Sequence, residues 1–98
     1  MLAPPPISLV LPVYNGAKFL EACLASVARQ SWTDFEVIIC DDGSSDRSPQ
    51  ILEGFRDPRF RVLAGGQHRG LFGNLNHLIR ETRSPLVRIV CQDDVLER

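Results

Sequence analysis

The chain has 98 residues, 44% of them hydrophobic and 23% charged, which is the balance of one small globular domain with one core and excludes a long disordered tract. With 11 basic and 12 acidic residues the net charge is -1, and no basic stretch is present to follow a nucleic-acid backbone. No apolar run approaches the roughly 20 residues that cross a bilayer.

Met1 to Pro6 holds three consecutive prolines and reads as an extended lead-in, without the basic and apolar regions of a signal peptide. Ile7-Ser8-Leu9-Val10-Leu11 is a short strand, expected to stop where Pro12 removes a backbone donor. From Ala17 to Gln30 the apolar positions Leu20, Cys23, Leu24 and Val27 follow helical spacing, with Asn15-Gly16 as turn and cap. Phe35 to Cys40 lacks polar alternation and predicts a central parallel strand covered on both faces.

After Asp41-Asp42-Gly43-Ser44-Ser45-Asp46, one of Ser45, Asp46 or Ser48 caps a second helix, with Pro49 in its first turn and Gly54 at its end. Ile51, Leu52 and Phe55 form its buried face. Arg59 to Leu63 alternates in polarity and predicts a strand nearer the sheet edge, closed by Gly65-Gly66. A third helical stripe at Leu71, Leu75, Leu78 and Ile79 ends before Ser84-Pro85, and Leu86 to Cys91 is the fourth strand. The order β-α-β-α-β-α-β predicts an α/β fold, a three-layer sandwich around a mostly parallel sheet.

Cys23, Cys40 and Cys91 are odd in number and widely spaced, which fits neither a metal knuckle nor a disulfide framework. Each lies in or at the end of an apolar segment, so all three are expected to be buried, reduced thiols, with a cytoplasmic setting as the corollary. Trp32 is expected to anchor the turn between the first helix and the second strand.

The candidate chemistry sits at strand ends. Open α/β sheets bind ligands beyond the carboxyl ends of their strands, and two acidic pairs, Asp41-Asp42 and Asp93-Asp94, are expected there. Like charges so placed repel unless a cation or donors offset them, and a hard divalent cation suits carboxylate and phosphate oxygens together. Tyr14 offers a ring for a nucleobase, and Arg69 a guanidinium for a phosphate or base carbonyl. His68 and His77 lack the register of a metal-binding helix and are expected to be ordinary surface or boundary residues. The absence of Gly-x-Gly-x-x-Gly and of a Walker Gly-Lys-Ser/Thr argues against dinucleotide oxidoreductases and P-loop ATPases.

These segments, Ile7 to Asn15, Leu24 to Gln30, Asp34 to Asp46, Arg69-Gly70 with Asn76, and Cys91-Gln92-Asp93-Asp94, together resemble the N-terminal half of the family 2 glycosyltransferases. The resemblance implies the GT-A (Rossmann-like) fold and a nucleotide-diphosphate sugar donor. Pro12 and Tyr14 would line the base pocket, and Asp42 would accept a hydrogen bond from a base such as uracil. Asp93 would face the ribose or share the cation, Mn2+ or Mg2+, with Asp94. The resemblance also implies attack, with inversion, by a hydroxyl of an acceptor that is a glycan, a lipid or another hydroxyl compound, aided by a carboxylate base expected beyond Arg98. Two departures stand out: Gln92-Asp93-Asp94 where relatives often have Asp-x-Asp, and His68 where many carry Asn.

With residues 1-6 as lead-in and 7-98 as the donor-binding part, the fold is expected to be truncated, with the acceptor half absent and transfer by the chain alone weak or nil. A non-catalytic nucleotide-binding module is the alternative. A phosphoacceptor receiver domain would need its acidic pair after the first strand and a late lysine, whereas Lys18 is the only lysine.

Overall fold

The computed structural model describes residues 5–30, 34–65 and 68–93. Its elements alternate as β1 (Ile7–Val13), α1 (Ala17–Ala28), β2 (Glu36–Asp41), α2 (Ser48–Gly54), β3 (Phe60–Leu63), α3 (Gly70–Arg80) and β4 (Leu86–Ile89). The four strands form one parallel sheet in the order β3-β2-β1-β4.

Side chains alternate across the two central strands, and each face builds its own core. Leu9, Leu11 and Val13 of β1 join Val37 and Ile39 of β2 against Leu20, Cys23, Leu24 and Val27 of α1 and Leu52 of α2. On the opposite face Val10, Ile38 and Cys40 pack with Leu78 of α3. Each fully buried aliphatic side chain contributes about 1.5–3 kcal/mol to this sandwich.

The strand predicted to stop at Pro12 runs through it. Val10 C=O accepts from Val90 N–H at 2.9 Å and Val13 C=O from Asp42 N–H at 2.8 Å, so alternate residues of β1 face β4 and β2. Pro12 therefore turns its missing donor towards β4, which has already ended at Ile89. The sheet tolerates the ring because no ladder bond is due there.

The predicted stripe of α3 holds in part, with Leu78 buried in the core of that face and Leu75 packed against it. Asn74 and Leu78 are its buried positions, while Leu71 and Ile79 are exposed. The fourth strand is shorter than predicted and lies at an edge with all four residues exposed. Cys23 and Cys40 are buried as expected, but Cys91 stands beyond β4 and is exposed. Trp32, Gly66 and Asp94 lie outside the described residues.

Candidate functional site

β1 occupies the centre of the sheet, and the chain leaves it towards β2 and β3 on one side and returns as β4 on the other. That reversal is a topological switch point, where side chains from several strand ends meet. A cleft of about 490 Å³ lies there. Pro12 and Tyr14 reach it from β1 and the loop after it, Asp42 from the end of β2, His68 and Asn74 from the approach to α3 and its first turns, and Asp93 from the segment after β4.

The two acidic pairs divide. Asp42 and Asp93 line the same cleft. Asp41 instead closes its own turn: its carboxylate accepts the N–H groups of Gly43 at 3.1 Å and Ser44 at 2.9 Å, and the Ser44 hydroxyl at 2.5 Å. Gly43 takes φ +85°, the left-handed geometry that lets the turn fold back.

Asp42 is only 3% exposed, and its surroundings explain how the charge is held. The backbone N–H of Arg69 donates to Oδ1 at 2.7 Å, while His68 Nδ1 lies 3.2 Å from Oδ2 and 3.0 Å from the Asp42 main-chain oxygen. Arg69 thus serves the site through its peptide. Its side chain is exposed and is not among those lining the cleft.

His68, expected to be an ordinary surface residue, is instead part of the cleft and packs its ring on Tyr14, centroids 5.0 Å apart. Asn74 was not singled out from the sequence. It is buried, donates from Nδ2 to Cys40 C=O at 3.0 Å, and leaves Oδ1 without a donor among the described residues. An Asn inside an apolar helical stripe was the available signal, since a buried amide needs partners. Lys18 brings the one lysine of the chain to the same cleft.

The loops carrying these residues are sewn to one another. Asn15, at φ +48°, receives the Ser45 N–H on its Oδ1 at 2.8 Å, and its own N–H donates to Ser44 Oγ at 2.8 Å. Asp46 accepts Ala17 N–H at 3.0 Å and Ser48 N–H at 2.9 Å, so one carboxylate serves the first turns of both α1 and α2. The hydrogen bonds with Ser48, foremost, hold the Asp46 carboxyl below its ordinary range.

Nearly the whole of this framework falls within residues 8–98, the segment that matches the family model Glycosyl transferase family 2. The chain belongs to this family. Among similar proteins is glycosyltransferase GlyG of Streptococcus pneumoniae serotype 4, 34% identical over 93 residues that cover 93% of this chain and 31% of GlyG. TarS 1-349 of S. aureus in complex with UDP-GlcNAc superimposes with a TM-score of 0.80 at 28% identity, covering 89% of this chain and 26% of that one. The mannosyltransferase PcManGT of Pyrobaculum calidifontis, solved with GDP-Man and Mn2+, gives a TM-score of 0.84 over 97% of this chain and 29% of its own. At 24% identity that last likeness is one of fold alone. The chain spans about a quarter to a third of the length of these three proteins.

Among the described residues no group of three or more His, Cys, Asp or Glu side chains is placed to hold a metal ion. Asp93 is a hard oxygen donor on the cleft wall. A cation of the Mg2+ type is commonly held by one or two carboxylates, with phosphate oxygens and water completing its shell, so this donor chemistry fits. No described helix is long and apolar enough to cross a membrane.

Proposed function

We propose that residues 7-98 form the donor-binding part of an inverting, metal-assisted glycosyltransferase that takes a nucleotide-diphosphate sugar, with uridine as the favoured base. The observation that carries this reading is the meeting of Asp42, Asp93, Pro12 and Tyr14 in one cleft at the switch point of a family 2 chain. TarS, related over most of this chain, was solved with UDP-GlcNAc, which supports the lean to a uridine donor.

In this reading the ring of Tyr14 stacks on the base beside Pro12, and Asp42 accepts the base N–H. Asp93 binds the ribose or, with Asp94, would hold Mn2+ or Mg2+. A bound divalent cation would offset the charge on the departing diphosphate. Lys18 adds a positive charge at the same wall. An acceptor hydroxyl, its proton taken by a carboxylate outside this chain, attacks the anomeric carbon as the bond to the diphosphate breaks on the opposite side.

Calorimetric titration with UDP and Mn2+ tests the proposal. Wild type should bind, Asp42→Ala should lose affinity with or without metal, and Asp93→Asn or Asp94→Ala should lose the metal-dependent part. Equal binding by all four proteins overturns the site assignment. Sugar transfer from UDP-GlcNAc by the 98-residue chain alone would overturn its restriction to donor binding.

A further inference from the structure

We propose that His68 is a nucleobase-site residue that competes with the base for Asp42, so that base binding requires the imidazole to swing aside. The inference rests on the reading of Asp42 as the base acceptor and adds the residue that controls access to it.

The hydrogen bonds define the competition. His68 Nδ1 faces two acceptors, the main-chain oxygen of Asp42 at 3.0 Å and Oδ2 at 3.2 Å. A lone pair on that nitrogen would oppose both oxygens, so Nδ1 carries the hydrogen. An N–H on an aromatic ring thus presents itself to the carboxylate as a uracil N3–H would. Oδ1 is held separately by the Arg69 peptide at 2.7 Å, leaving Oδ2 as the oxygen to be contested.

Ring packing defines the space. His68 and Tyr14 lie 5.0 Å apart between centroids, with planes inclined by 49°. Carbon layers in contact need about 3.5–4 Å each, so a base inserted between the rings would require about 7 Å or more. A base that stacks on this face of Tyr14 and bonds to Asp42 therefore takes the place of His68.

Exposure favours the movement. The Asp42 side chain is 3% exposed, whereas that of His68 is 61% exposed, so a surface side chain covers a buried carboxylate. The imidazole can turn into solvent while the Arg69 peptide stays on Oδ1. Asn74, which lines the same cleft, leaves its buried Oδ1 without a donor among the described residues.

Titration with UMP in the absence of metal isolates the base and ribose from the diphosphate. If the open site is populated at about 10–30%, removing the competitor strengthens apparent binding about 3–10-fold. His68→Ala should show that gain, Asp42→Ala should weaken binding, and His68→Ala combined with Asp42→Ala should show no gain over Asp42→Ala. Unchanged or weaker binding by His68→Ala overturns the proposal. Should Asp42→Ala bind like wild type, the base assignment itself fails. Loss of affinity in Asp42→Ala without a gain in His68→Ala leaves that assignment standing and removes only the competition.

A measurement on wild type guards against a variant that folds poorly. The nuclear Overhauser contact between the His68 and Tyr14 rings should vanish at saturating UMP. Its persistence at saturation, or failure of both wild type and folded His68→Ala to bind UMP at millimolar concentration, overturns the proposal.

Discussion

The side-chain amide of Gln92 pairs in both directions with the backbone of Tyr14: Oε1 accepts the Tyr14 N–H at 2.9 Å and Nε2 donates to the Tyr14 C=O at 3.0 Å. The amide stands in for a ladder partner that β4 no longer provides beyond Ile89, and it fixes the residue proposed to stack on the base. Gly16 leaves room for it, since a Cβ at that position would lie 2.3 Å from Gln92 Oε1. A glutamate cannot donate to the Tyr14 carbonyl, so Gln92→Glu sets an oxygen against an oxygen. We expect that variant to lose about 1 kcal/mol of stability in urea unfolding, the lower end for an unmet polar group because Gln92 is partly exposed. UDP affinity should fall with it, and Gly16→Ala should reproduce both effects. Unchanged unfolding and binding in both variants would show that the clamp does not position Tyr14.

Asp46 joins two helix starts through separate oxygens, Oδ2 to Ala17 N–H and Oδ1 to Ser48 N–H. Orphan N–H groups at helix starts need acceptors, and a negative charge there also suits both helix dipoles. Asp46→Ala should lower Tm and speed hydrogen exchange at Ala17 and Ser48 together. Asp46→Asn, which keeps an oxygen for one of them, should fall between. Faster exchange at Ser48 alone would show that Asp46 caps only its own helix.

The central strands were legible because burial on both faces writes itself as unbroken apolar sequence in Leu9 to Leu11 and Val37 to Cys40. The helix of Leu20, Cys23, Leu24 and Val27 was legible from its period. The same logic held for Leu75 and Leu78 of α3 but failed at Leu71 and Ile79, which are apolar yet exposed while the polar Asn74 is buried. Pro12 misled because its effect depends on which neighbouring strand its nitrogen faces. Asp42 and Asp93 could be placed at strand ends from local pattern alone. The partners that define the cleft could not: His68 meets Asp42 across 26 residues and Gln92 meets Tyr14 across 78, and no local spacing records either pairing.

At the opposite ends of β1 and β2, Glu36 is buried and tied to the loop before β4. It receives the Ser8 hydroxyl, the Arg83 peptide N–H at 2.9 Å and the Arg83 guanidinium at 3.0–3.1 Å. Burial pushes this carboxyl up, but the Ser8 and Arg83 hydrogen bonds with the arginine charge outweigh it, and the net displacement is downward. A depressed carboxyl means that the unfolded chain binds the proton more readily, so stability rises with pH. The contribution is complete above the ordinary glutamate range near about pH 4.3 and is lost as pH falls through the lower folded value. Glu36→Gln should cost about 1–3 kcal/mol at pH 7. Arg83→Ala should cost about 1 kcal/mol, because the exposed guanidinium is screened by water. Urea unfolding at pH 7 and pH 3 should show the Glu36→Gln penalty shrinking in acid, and a constant penalty would contradict the linkage.

The cysteines report on the cleft without a substitution in it. Cys91 is exposed and lines the cleft, whereas Cys23 and Cys40 are buried. Burial also pushes the Cys40 thiol up, reducing the reactive thiolate. Iodoacetamide should therefore modify one cysteine quickly in the native chain, identified as Cys91 by peptide mass spectrometry, and all three after denaturation. A nucleotide seated between Tyr14, Asp42 and Asp93 would cover that wall, so saturating UDP should slow Cys91 alkylation several-fold. The same slowing in Asp42→Ala should require more UDP, because this carboxylate is the one proposed to read the base. If Cys91 reacts at the same rate with and without saturating UDP, the nucleotide binds elsewhere on the chain.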